Sequence, residues 1–164
     1  CDAGQGKVWV YTVNKATGAL LPDPKVVACG AVSPGQGCIQ KLFLKMGGPR
    51  PRHLAFHPTL AKVYVLTECG NAISWHSVNM ASGEVGEAEG QIKSLSPMQA
   101  VSCVASSCCF QPGLTLAAEI EPSSDGRFLY VSNRGVGVAE DSVAVFQLDQ
   151  ASGAARWVQT MMVG

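Results

Sequence analysis

Charge is scarce in this 164-residue chain: 15% of residues are charged, and 12 Lys and Arg balance 12 Asp and Glu. With a formal net charge of zero, nothing argues electrostatically for a nucleic-acid or membrane-surface partner. Long apolar runs are missing as well, and none approaches the roughly 20 residues that a membrane-spanning helix requires. No segment has the amphipathic period of a helix of about ten residues or more. The opening CDAGQGKVWV has neither Met nor a signal-peptide pattern and begins inside a strand-like alternation, so a longer parent chain is expected. Seven cysteines, at 1, 29, 38, 69, 103, 108 and 109, form neither an even disulfide framework nor a C-x-x-C pair. Reduced thiols and a cytoplasmic location are the expectation. Three dispersed histidines give no metal-ligand spacing, so neither metal nor cofactor is expected.

What the chain has is repetition. VWVYTVNKATG (8–18), ISWHSVNMASG (73–83) and VAVFQLDQASG (143–153) share an apolar alternation, then Asn or Asp, then a Gly four residues on, the glycines lying 65 and 70 residues apart. Such a pattern is a strand running into a tight turn, with Gly at a positive-φ position. A second repeat interleaves with the first: HLAFHPTLAKVYVLTE (53–68) aligns with EIEPSSDGRFLYVSNR (119–134) at an offset of 66. Each half reads as two strands and a turn, with Pro58-Thr59-Leu60 opposite Ser124-Asp125-Gly126. Further short strands are expected at Val26–Ala28, Gln91–Leu95 and Trp157–Met161.

The polar residues of the second repeat change identity while keeping their places. His53 falls opposite Glu119 and Glu68 opposite Arg134, while the hairpin brings Arg52 to the same edge as Glu68. Residues that line a shared site behave this way, and a purely structural repeat has less reason to. A guanidinium offers a planar fork for a carboxylate or phosphate, and Glu68 is an acid fit for proton transfer beside it. The bland alternative is a solvated salt bridge. His57, before Pro58 in a turn, and His76, inside a strand beside Trp75, read as structural. Gly35-Gln36-Gly37 lacks the Lys, spacing and helix of a phosphate loop and reads as a turn.

Four short strands per repeat and no helix describe a β-propeller blade. The expected fold is all-β, a single incomplete propeller domain of about two and a half four-stranded blades. Residues 1–47 would be the second half of a blade, 48–116 a full blade with a Cys-rich insertion near 99–112, and 117–164 a second full blade. The remaining blades would come from the longer chain.

At PRHLAFHP…VYVLTE and AEIEPSSDGRFLYVSNRG…DSVAVFQLD the sequence resembles the lactonase family of seven-bladed propellers, which includes propeller-type 6-phosphogluconolactonases and 3-carboxy-cis,cis-muconate lactonizing enzymes. The resemblance covers nearly the whole chain apart from the Cys-rich stretch. It implies seven blades and a metal-free site at one mouth, built from an Arg, a Glu and an Arg on adjacent blades plus a His. The matching positions are Arg52, Glu68 and Arg134, with the His falling upstream of Cys1. The two arginines would hold an anionic lactone and Glu68 would move the proton. His53 and Glu119, which share one blade position facing the same mouth, are expected either to line the pocket or to make strand-edge hydrogen bonds. Asn133, beside Arg134, is a further candidate to bind substrate. Arg50 competes with Arg52, because GPRPRH is two residues longer than the family's GPRH, and Thr67 stands where the family has Asn. The implied activity is that of a lactonase, 6-phosphogluconolactonase-like, or of a lactonizing cyclase. A non-catalytic propeller scaffold is the alternative, since fold alone does not fix function.

Overall fold

The computed structural model describes residues 1–3, 5–28, 50–68, 70–96, 115–135, 137 and 139–163, so the Cys-rich stretch 99–112 and the turn at 35–37 lie outside the described residues. Ten strands and no helix occur among them. β1 (Lys7–Val10) and β2 (Lys25–Ala28) form a two-stranded sheet. β3 (Pro51–Phe56), β4 (Lys62–Thr67), β5 (Ala72–Asn79) and β6 (Glu84–Lys93) form a four-stranded meander in chain order. β7 (Thr115–Pro122), β8 (Phe128–Gly135), β9 (Asp141–Leu148) and β10 (Ala155–Val163) form a second. The strands expected at 26–28 and 157–161 are present, and the one at 91–95 belongs to the longer β6.

The two meanders share one register. Pro51 pairs Thr67, Leu54 pairs Val65 and Ala55 pairs Tyr64 in the first. Ala117 pairs Asn133, Ile120 pairs Val131 and Glu121 pairs Tyr130 in the second, each pair shifted by the same offset. The N/D-x-x-x-G turn recurs three times with one geometry. The side-chain oxygens of Asn14, Asn79 and Asp149 accept the backbone N–H two residues on, at 2.9, 3.0 and 3.1 Å. Gly18, Gly83 and Gly153 close the turns at φ 73°, 69° and 73°, in the left-handed region where glycine carries no Cβ penalty. Hydrogen bonds from Ser152, backbone first and then hydroxyl, hold the Asp149 carboxyl below the usual carboxylate range. In both meanders this turn joins the third and fourth strands. β1 and β2, joined by the Asn14 turn, are therefore the outer half of a blade.

Packing follows from strand alternation. β4 is buried on both faces: Val65 packs with Val8, Val10 and Val27 on the β1–β2 side, while Tyr64 and Leu66 pack with Ile120, Leu129, Val131 and Phe146 of the next sheet. At about 1.5–3 kcal/mol for each fully buried large apolar side chain, this second seam supplies most of the hydrophobic stabilisation. β3 runs beside β7, and β2 and β10 lie against β6, so first strands meet first strands and fourth meet fourth. Sheets arranged radially in this way are propeller blades, and the structure is a partial β-propeller of two and a half blades.

Two buried rings staple the blades at the end that carries the hairpin turns. His57 Nδ1 accepts the N–H groups of Thr59 (3.1 Å) and Leu60 (2.9 Å), so its Nε2–H donates to the Gly126 carbonyl at 3.0 Å. Gly126, at φ 69°, has no room for a side chain, since a Cβ there would stand 2.5 Å from the His57 ring. The Tyr64 hydroxyl donates to the Gly153 carbonyl at 2.8 Å, and burial pushes its pKa up to about 12. His76 is likewise buried, held between the Ser74 hydroxyl and the Gly86 carbonyl at 3.0 Å each.

Candidate functional site

The site lies at the opposite end of the sheets, where β3 and β7 begin and β4 and β8 finish. Both first strands open with a bulge, between Pro51 and His53 in β3 and between Ala117 and Glu119 in β7. The extra residues are Arg52 and Ala118, equivalent under the repeat. A bulge kinks its strand and re-aims side chains and backbone groups. Here it turns Arg52 toward the neighbouring blade, where its Nε–H donates to the Ala118 carbonyl at 3.0 Å.

Glu68, the residue after β4, joins the two blades. Its Oε1 accepts from Arg52 Nη1 at 3.1 Å and also from Arg134 Nη2. Its backbone N–H donates to the Arg50 carbonyl at 2.9 Å, which ties the end of β4 to the chain entering β3. Glu68 is the least exposed of the three, at 18% against 36% for Arg52 and 47% for Arg134. Two guanidiniums around one carboxylate leave a formal excess of one positive charge. Both cations bond to Oε1, and Oε2 takes neither. Each guanidinium carries five donors, of which Arg52 uses Nε and Nη1 in these contacts.

The remaining residues singled out from the sequence are distributed as follows. His53 and Glu119, equivalent positions of the two blades, face each other with Nδ1 3.2 Å from Oε1, and both are exposed. Arg50 sits at φ 54° and meets Glu68 through its backbone carbonyl, so it is Arg52 that reaches the carboxylate. Asn133 is 1% exposed, and its carboxamide is engaged with Ser94: it accepts from the hydroxyl and donates to the carbonyl, each at 3.1 Å. Its place is the seam between blades, one residue behind Arg134. Thr67, its equivalent, turns inward and donates to the Ala72 carbonyl at 3.1 Å.

Other supports of the site were not singled out from the sequence. Asn71, in the β4–β5 turn, donates to the Thr115 carbonyl and accepts from the Ala117 N–H, both at 2.7 Å. It thereby fixes the start of β7 just before the bulge. Ser132 accepts the Glu119 N–H at 3.1 Å. A lone Asn in a turn and a Ser in a strand carry no visible signal until the neighbouring sheet is in place. Asn71 had one available clue, since turn Asn tolerates positive φ and here has 43°. No group of three or more His, Cys, Asp or Glu that could hold a metal occurs among the described residues. No helix there is long and apolar enough to cross a membrane. A carboxylate poised between two fixed cations can exchange a proton while the cations bind an anion or a developing oxyanion.

A family model described as Lactonase, 7-bladed beta-propeller, matches residues 1–164. The 6-phosphogluconolactonase of Bacillus subtilis (strain 168) is 35% identical over 112 residues, covering 68% of this chain and 27% of that protein. Among solved structures, a protein of Bacteroides uniformis ATCC 8492 matches all of this chain and 37% of its own, with TM-score 0.71 at 20% identity, a likeness of fold. The Pseudomonas aeruginosa periplasmic gluconolactonase PpgL matches with TM-score 0.53 at 27% identity, over 70% of this chain and 27% of its own. The chain thus spans between 27% and 37% of the length of these relatives.

Proposed function

The chain belongs to the seven-bladed β-propeller lactonase family, and on that premise we propose that the full-length protein hydrolyses the lactone of an anionic sugar acid, of the 6-phosphogluconolactone type. The observation that carries this reading is Glu68 Oε1 accepting from Arg52 and Arg134 at once, across two blades. The arginines draw in the anionic substrate and donate to the carbonyl oxygen as it becomes an oxyanion. Glu68 takes a proton from the attacking water as the new C–O bond forms. When the ring C–O bond breaks, Glu68 returns that proton to the departing alkoxide, and the product acid ionises to solvent. Lactone closure on a carboxymuconate-like anion is a different reaction, in which a carboxylate oxygen adds to a conjugated C=C while protonated Glu68 delivers its proton to the adjacent carbon and is reloaded from solvent. Assays on the two substrates separate it from hydrolysis. His53 and Glu119 line the mouth, and Arg50 adds positive charge behind it. Asn133, held in the seam, supports Arg134 from behind.

The other blades of the parent chain are the partners this fragment implies. Tyr64 is fully buried by the following blade, whereas its equivalent Tyr130 is 40% exposed, which is the surface a further blade would cover. We place the protein in a cytoplasmic compartment, where its cysteines, none of them in a C-x-x-C pair, would stay reduced. The test of function is Glu68→Gln in the full-length protein. Turnover of 6-phosphogluconolactone should fall about a hundredfold or more, the scale of general acid–base groups. Full activity of this variant on that lactone and on a carboxymuconolactone would put a non-catalytic scaffold ahead.

A further inference from the structure

We propose that Ser132 is a positioning residue for Arg52, a role that rests on the site just described. Arg52 has two anchors, the Glu68 carboxylate and the Ala118 carbonyl. The first weakens whenever Glu68 takes up a proton, so the second must hold the guanidinium in place through turnover. Ala118 presents its carbonyl to Arg52 because it is the extra residue of the β7 bulge. That bulge interrupts the β7–β8 ladder, and the Ser132 hydroxyl accepts the adjoining Glu119 N–H at 3.1 Å. The Glu119 carboxylate then accepts the Ile120 N–H at 2.9 Å and pairs with His53, which ties the bulge back to β3.

The repeat supplies a control. Position 132 corresponds to Leu66 in the preceding blade, a buried apolar residue, although that blade bulges at the same place. The bulge itself therefore needs no hydroxyl. Among the two complete blades described, the hydroxyl occurs only behind the bulge whose carbonyl holds Arg52.

The experiment compares Ser132→Ala, Ser132→Cys and Ser132→Thr in the full-length protein, each alone and combined with Arg52→Ala, using 6-phosphogluconolactone. With Arg52 present, Ala should lower kcat/KM about tenfold, Cys should lower it less, and Thr should stay within about twofold of wild type. In the Arg52→Ala background, Ser132→Ala should change the residual rate by less than about twofold, because its effect passes through the missing guanidinium. An equal loss in both backgrounds would make Ser132 merely structural and overturn the proposal. A readout independent of activity is the crystal structure of Ser132→Ala, or of Ser132→Cys should the alanine variant not fold. Arg52 Nε should leave the Ala118 carbonyl, moving beyond about 3.5 Å, and retention of that bond would overturn the proposal. Wild-type activity of Glu68→Gln and Arg52→Ala would instead sink the reading of the site, and the crystallographic distance would then decide the positioning role alone.

Discussion

Replacing Asn71 by Gly should loosen the first strand of the second full blade without otherwise straining the chain. Asn71 has φ 43°, a conformation glycine adopts freely, so the substitution removes two hydrogen bonds and adds no backbone clash. The groups it abandons are poorly placed to find water: Thr115 is 6% exposed and Ala117 not at all. Leaving a buried donor or acceptor unsatisfied costs about 1–3 kcal/mol, so the pair should cost about 2–6 kcal/mol. Amide hydrogen exchange of the full-length protein reads this directly, because the Ala117 N–H bonds to the deleted side chain. A loss of about 2 kcal/mol in local opening energy speeds its exchange about thirtyfold, while amides of β1 and β2 should be unaffected. Asn71→Ala should be worse by about 1–2 kcal/mol, because it adds a Cβ in the left-handed region. If the Ala117 amide in the Gly variant stays within about threefold of wild type, the latch between the blades is not what fixes β7.

Arg134→Lys should raise KM for the anionic lactone about tenfold with a smaller change in kcat, since a point charge cannot replace a fork; unchanged steady-state KM would contradict it. Tyr64, with its pKa pushed from 10.0 to about 12, is favoured as neutral phenol in the fold. Its contribution is therefore complete below pH 10 and lost as pH rises through 12, by up to about 3 kcal/mol, and Tyr64→Phe should flatten the alkaline fall in melting temperature. Residues 1–164 expressed alone should aggregate or exchange rapidly in β1 and β10 and hydrolyse no lactone, because Val158, Met161, Met162 and Val163 stand exposed on the last strand. A soluble monomer with uniform protection, seen by size exclusion and exchange, would refute that.

The repeat was legible because strand register follows from side-chain alternation and turn chemistry, both local properties. The offset that aligned Tyr64 with Tyr130 also aligned their ladder partners, Ala55 and Glu121. The same symmetry brought Glu68 against Arg134 and His53 against Glu119, since equivalent positions of neighbouring blades converge at the axis. What stayed hidden depends on one blade touching another. Nothing in the sequence distinguishes Asn71, which clamps β7, from any turn asparagine. Asn133 was expected at the pocket, but alternation turns its side chain into the seam toward Ser94. The two bulges were invisible as well. A bulge is one residue more on one strand than its partner can pair, which is a property of the pairing.

The central claim is that two adjacent blades build an anion site around Glu68, with Arg52 and Arg134 as its arms. Its most direct test is a crystal structure of the full-length protein with 6-phosphogluconate, the hydrolysis product. The carboxylate of the product should lie within about 3.2 Å of donors on both Arg52 and Arg134, with one of its oxygens beside Glu68. Binding elsewhere on the propeller, with the Arg52–Glu68–Arg134 contacts undisturbed, would contradict the account.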